Sequence, residues 1–134
     1  MKRTMLLLAC LLAFSIAGIA QEDEDYETWM ETASATVPNL RKNLEAKSGD
    51  AAASDAKKLQ EVFAQVHAFW QKKNVADAMQ FAMDAQTNFG AAAELASAAK
   101  FEEATAAVNR AQSNCNGCHS AHRERTPDGE WRIK

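Results

Sequence analysis

Helix breakers are scarce in this chain: it has two prolines, Pro38 and Pro127, and few runs of β-branched residues. No segment alternates apolar and polar residues over a useful strand length, and no internal repeat is present. That argues against a sheet and against a solenoid. There is no paired-carboxylate signature, no nucleophile elbow and no glycine-rich phosphate loop, so no enzyme site is expected. A basic excess is missing too, since the formal net charge is −3, which argues against a general nucleic-acid role. Only three cysteines occur, Cys10, Cys115 and Cys118. A zinc site built from a second C-x-x-C or a distant histidine pair is therefore excluded.

What is present begins with a leader. Lys2 and Arg3 precede an apolar run from Met5 to Ile19, and Gly18-Ile19-Ala20 gives way abruptly to Gln21-Glu22-Asp23-Glu24-Asp25. A basic start, an apolar middle and small residues before a cut predict a secretory signal peptide over residues 1–20. The run is short for a bilayer span of about twenty residues. Leu7-Leu8-Ala9-Cys10 also looks like a lipidation site, ranked second because the apolar run continues well past Cys10. Cleavage after Ala20 removes two positive charges, takes the net charge to −5 and leaves two cysteines. The expected location is the periplasm, where those two could oxidise.

The rest, residues 21–134, is alanine-rich and reads as one domain of four helices. The first is expected over about Asp23–Lys47, with Tyr26, Met30, Ala33, Val37, Leu40 and Leu44 on one face and a kink or break at Pro38. Gly49 is expected to end it in the left-handed conformation. The second is expected from Ser54 or Asp55 as cap to Lys73, with Leu59, Val62, Phe63, Val66, Phe69 and Trp70 inward. The third follows Asn74 as cap and runs to about Ser97, with Val75, Met79, Ala82, Met83, Gln86 and Phe89 or Gly90 on one face. The fourth starts near Phe101 and stops before the turn signal Pro127-Asp128-Gly129. Trp131 lies in a tail that could pack back. Short connections predict an all-α antiparallel four-helix bundle. In that topology Tyr26, Trp29, Met30, Val66, His67, Phe69, Trp70, Val75, Met79 and Met83 gather at the end that carries residues 115–122. Ordinary core packing would also account for such a stripe.

That end holds Cys115-Asn116-Gly117-Cys118-His119. Zinc is one reading, with Cys115, Cys118 and His122 as ligands and His67 completing the set. A dithiol redox pair would expect a βαβ context, and a disulfide across so small a loop would add little. Covalent attachment of haem c through Cys115 and Cys118, with His119 as proximal iron ligand, is the strongest reading.

The stretch Cys115-Asn116-Gly117-Cys118-His119-Ser120-Ala121-His122-Arg123 on a last helix resembles the class II c-type cytochromes, the cytochrome c′ and cytochrome c-556 group. The resemblance extends over the length and helix layout of residues 21–134. It implies one haem c per chain and a basic residue, Arg123, near a haem propionate or the proximal side. His122 fills a position that is aromatic in the family, and packing beside the haem is its expected role. Tyr26-Glu27-Thr28-Trp29-Met30-Glu31 resembles the part of helix one that faces the distal side, although Tyr26 stands where the family often has arginine. Met30 is then implied as distal axial ligand, with His67 as competitor and Met79 and Met83 as weaker candidates. The expected function is electron transfer to a redox protein partner. The alternative is a five-coordinate protein that binds NO or CO. The resemblance also raises a homodimer through the first two helices, although those helices show no obvious apolar excess outside. The acidic run Glu22 to Asp25 favours the positive end of helix one and could help to dock a basic partner.

Overall fold

The computed structural model describes the chain from residue 2 to residue 134, with side chains described from Glu22 onward. The expected leader over residues 1–20, its lipidation alternative and Cys10 lie outside the residues whose side chains are described. Four helices, α1 (Lys2–Glu45), α2 (Gly49–Lys73), α3 (Ala76–Ser97) and α4 (Phe101–His122), are followed by two short strands, β1 (Arg123–Arg125) and β2 (Trp131–Ile133). Each helix packs on the next, and the links are only two or three residues long, so consecutive helices run antiparallel. The all-α bundle expected from the sequence is the fold.

The three links share one geometry. Lys47, Asn74 and Ala99 each adopt a left-handed backbone, with φ of 55°, 55° and 58°. At each link the next amide reaches back five residues: Ser48 N to Asn43 O, Val75 N to Trp70 O and Lys100 N to Leu95 O, at 2.9, 3.2 and 2.9 Å. These are Schellman closures, made here without glycine at the left-handed position. They correct three expected boundaries. Gly49 is not the left-handed residue but the first residue of α2, where a Cβ would lie 2.9 Å from the Ala96 carbonyl oxygen. Neither Ser54 nor Asp55 caps α2, which starts five residues earlier. Asn74 closes α2 rather than capping α3, whose cap position is Val75. The backbone of α1 is helical from Lys2, ahead of the expected Asp23, and passes through Pro38 without a break.

The core lies mostly among α2, α3 and α4. The buried face of α3 is Ala78, Ala82, Ala85, Phe89, Ala92, Ala93 and Ala96. Small side chains let its neighbours approach closely. This face shares Ala82 and Phe89 with the expected one but takes Ala78 and Ala85 in place of Met79 and Gln86, and Met83 points outward, 43% exposed. Hydropathy alone favours methionine over alanine, but close helix contact selects the alanines. By contrast, α1 contributes Ala33, Thr36, Leu40 and Leu44 to the interior, while Tyr26, Met30 and Val37 are only partly buried. Of the neighbouring helix pairs, α1 and α4 touch least. Arg41 Nη1 donates to Asn109 Oδ1 at 2.9 Å across their far end, below which the seam opens.

The expected tail is a hairpin. Its strands pair antiparallel, with Arg123 opposite Ile133 and Arg125 opposite Trp131, and Gly129 turns it at φ 91°. Trp131 packs within the hairpin and stays half exposed: the guanidinium carbons of Arg123 and Arg125 on the facing strand lie 3.9 and 4.7 Å from its ring centroid. Three-residue strands are too short to register as alternation in a sequence.

Candidate functional site

The open seam between α1 and α4 forms a cavity of about 330 Å³. From α1 it takes Tyr26, Met30, Ala33, Ser34, Val37 and Pro38; from α2, Phe63 and Val66; from α3, Phe81 and Ala82. The α4 wall is Gln112, Asn114, Cys115, Cys118 and His119, and Arg123 closes one corner. A larger groove of about 820 Å³ adjoins it, between the Asp23, Glu27 and Glu31 side of α1 and the hairpin. Tyr26, Met30, Ser34, Cys118, His119 and Arg123 line both spaces, which are therefore continuous. Both volumes fall in the range of cofactor pockets.

Helical spacing explains why α4 delivers its chemistry to one side. Cys115, Cys118 and His119 stand three and four residues apart, so their side chains share a face. Gly117 points elsewhere, against α3, where a Cβ would come 2.7 Å from the Phe81 ring. Its small size serves helix packing. Asn116 is exposed.

Burial along this wall moves proton affinities. Burial, and then the neighbouring Cys118, push the Cys115 thiol up to about 11. Burial, and then the Asp77 charge, push Cys118 to about 11. Both thiols are free and protonated at neutral pH. Burial, and then Arg123, lower the affinity of His119 for a proton, so its neutral imidazole with an available lone pair is favoured. Tyr26 is pushed up to about 12 by burial first and by Cys118 second, which keeps it a neutral phenol. The Arg123 Nε is buried without a hydrogen-bond partner, and no ion pair among the described residues involves its guanidinium. The guanidinium stacks on the Trp131 ring, and a cation without an ion-pair partner at a cavity corner is suited to a carboxylate.

The expected gathering at this end is partly met. Tyr26, Met30 and Val66 line the cavity. Behind them Trp29, Phe69 and Trp70 pack as an aromatic cluster on Tyr26, with ring centroids 6.3, 4.4 and 5.8 Å from its own. His67, Met79 and Met83 line neither space. His122 lines the groove and bonds Asp77 Oδ2 through Nε2 at 2.8 Å, with its ring 5.2 Å from Trp70. Among the described residues, no group of three His, Cys, Asp or Glu side chains is arranged to hold a metal ion alone. The four-ligand zinc set of Cys115, Cys118, His122 and His67 is thus not assembled. The sequence reading missed Phe81, Ser34 and Asp77. Phe81 was legible only from the small residue opposite it, and Asp77 only from its place in the first turn of α3.

No protein-family model, curated protein or solved structure matches the chain.

Proposed function

We propose that this chain is an exported monohaem c-type cytochrome that carries electrons to a redox protein partner in the periplasm. One observation carries the reading: both thiols, His119 and Met30 line a single largely apolar cavity between α1 and α4. Cys115 and Cys118 would anchor the porphyrin as thioethers, His119 would hold the iron on one side and Met30 on the other. Haem supplies one-electron chemistry, and a methionine–histidine pair raises its potential. The protein's share is binding and environment. Protonated thiols resist premature oxidation. The neutral imidazole is ready to ligate. Ala33, Val37, Phe63 and Val66 would give the bound group an apolar wall. Arg123, which has no ion-pair partner among the described residues, would offer its cation to a propionate, and His122 would pack at the groove side.

The test is chemical. Expression with haem-attachment machinery should give a mass adduct of one haem that survives denaturation. It should disappear when Cys115 and Cys118 are both replaced by serine. A zinc or dithiol protein would show no such adduct.

The second reading is a five-coordinate protein that binds NO or CO. It is favoured by the apolar wall beside Met30, which would leave an open sixth position if Met30 did not ligate. Among the described residues the exposed large apolar side chains are Met83 and Trp131, on α3 and β2. Any homodimer through α1 and α2 would therefore have to form without a large exposed apolar anchor among the described residues of those helices.

A further inference from the structure

The turn of α4 that carries Cys118 and His119 is the last before the chain leaves the helix. Terminal turns fray unless something outside the helix holds them. His122 is that point of attachment, and it is held from three directions. Its Nε2–H donates to the Asp77 carboxylate on α3 at 2.8 Å. Its ring lies against buried Trp70 on α2, 5.2 Å between centroids at 45°. Its carbonyl accepts the Lys134 N–H at 3.0 Å, which ties the hairpin back to the same residue. The His122 side chain is 17% exposed, so the bond to Asp77 is partly shielded from solvent. Asp77 stands in the first turn of α3, at the positive end of that helix, and His122 in the last turn of α4, at the negative end. The Asp77 carboxylate is favoured at that positive helix end.

We infer that Asp77 is a positioning residue: through His122 it locks the last turn of α4 and so fixes the direction in which His119 enters the cavity. The inference rests on the haem reading above. A histidine ligand is oriented by the groups around it, and the orientation tunes the metal. Here the latch acts on the helix turn rather than on the ligand's own ring nitrogen. Its geometry is specific: the carboxylate must reach across from α3, and the acceptor must be where His122 Nε2 can meet it. A hydrogen bond that only tied α3 to α4 could sit anywhere along their length; this one sits one turn from His119.

Two measurements on the full chain separate the latch from the haem reading. The first is amide hydrogen exchange over residues 116–122 in haem-free protein. Asp77→Ala and His122→Ala should each speed it about tenfold, and the double variant should be no faster than either single one. Asp77→Glu should restore part of the protection. The second is the midpoint potential of haem-loaded protein, which should shift by the same amount in both single variants and in the double. Additive effects, or unchanged exchange in Asp77→Ala, overturn the latch. Altered exchange with an unmoved potential leaves a purely structural contact and overturns the positioning role. A chain that attaches no haem overturns the haem reading and the positioning role with it, while the exchange result still decides whether the latch exists.

Discussion

Gly117 stands so close to Phe81 that one added carbon would come within 2.7 Å of the ring. The contact sits between the two cysteines and presses α4 onto α3. Gly117→Ala should lower stability by about 1 kcal/mol, because the half-buried Phe81 ring has to move and the helix preference of alanine over glycine offsets part of that cost. Asn116→Ala, at an exposed neighbour, should stay within about 0.5 kcal/mol of the parent. Urea unfolding midpoints of the three proteins check this, and equal losses at both positions would refute the packing role.

Met30 decides the spin state if the haem reading holds. The parent, when reduced, should show sharp α and β bands. Met30→Ala should turn that spectrum high-spin, let CO bind and lower the potential, since the thioether contributes to a high one. An unchanged spectrum would move the ligand elsewhere. A parent that is already high-spin would select the gas-binding alternative.

Alkali should weaken the haem-free chain. The folded-state proton affinities of Cys115 and Cys118 are raised from 9.0 to about 11, and that of Tyr26 from 10.0 to about 12. Groups raised in the folded state contribute stability that is fully present below their unfolded values and lost as pH rises through the folded ones. Stability should therefore hold up to about pH 9 and fall between there and about 12, as followed by urea midpoints. Alkylation of both thiols at pH 8 should run about a hundredfold slower in the folded chain than in urea, because the thiolate fraction falls tenfold per unit.

The left-handed link residues offer a gain. Ala99 carries φ 58° with a Cβ that disfavours it. Ala99→Gly should raise stability by about 0.5–1 kcal/mol after the entropy cost of glycine is counted. Ala98→Gly, where φ is −87°, should show no such gain. Thermal denaturation of both variants distinguishes a backbone effect from a general tolerance of the link.

How far the sequence revealed this molecule can be read from particular residues. The inward set of α2, from Leu59 to Trp70, was legible because large apolar side chains mark a helix face clearly. The side of α3 was not, because its interior is alanine, which carries almost no periodic signal. The Schellman links were hidden for a related reason: lysine, asparagine and alanine occupy positions that glycine usually announces. The shared face of Cys115, Cys118 and His119 was legible from their spacing, whereas Met30 was singled out among several residues at that bundle end only by the family resemblance; all four line one cavity. Asp77 was not, because its partner His122 lies 45 residues away and only the fold joins them.

The open seam between α1 and α4 bears on the order of assembly. Every well-made helix contact joins neighbours in the chain, and the one pairing that would link the two ends is the incomplete one. Chains dominated by near-neighbour contacts fold quickly, since little loop entropy has to be overcome first. The three close helix pairings can therefore form before α1 and α4 meet, and under the proposed haem reading the bound group would supply the contacts that this last pairing lacks.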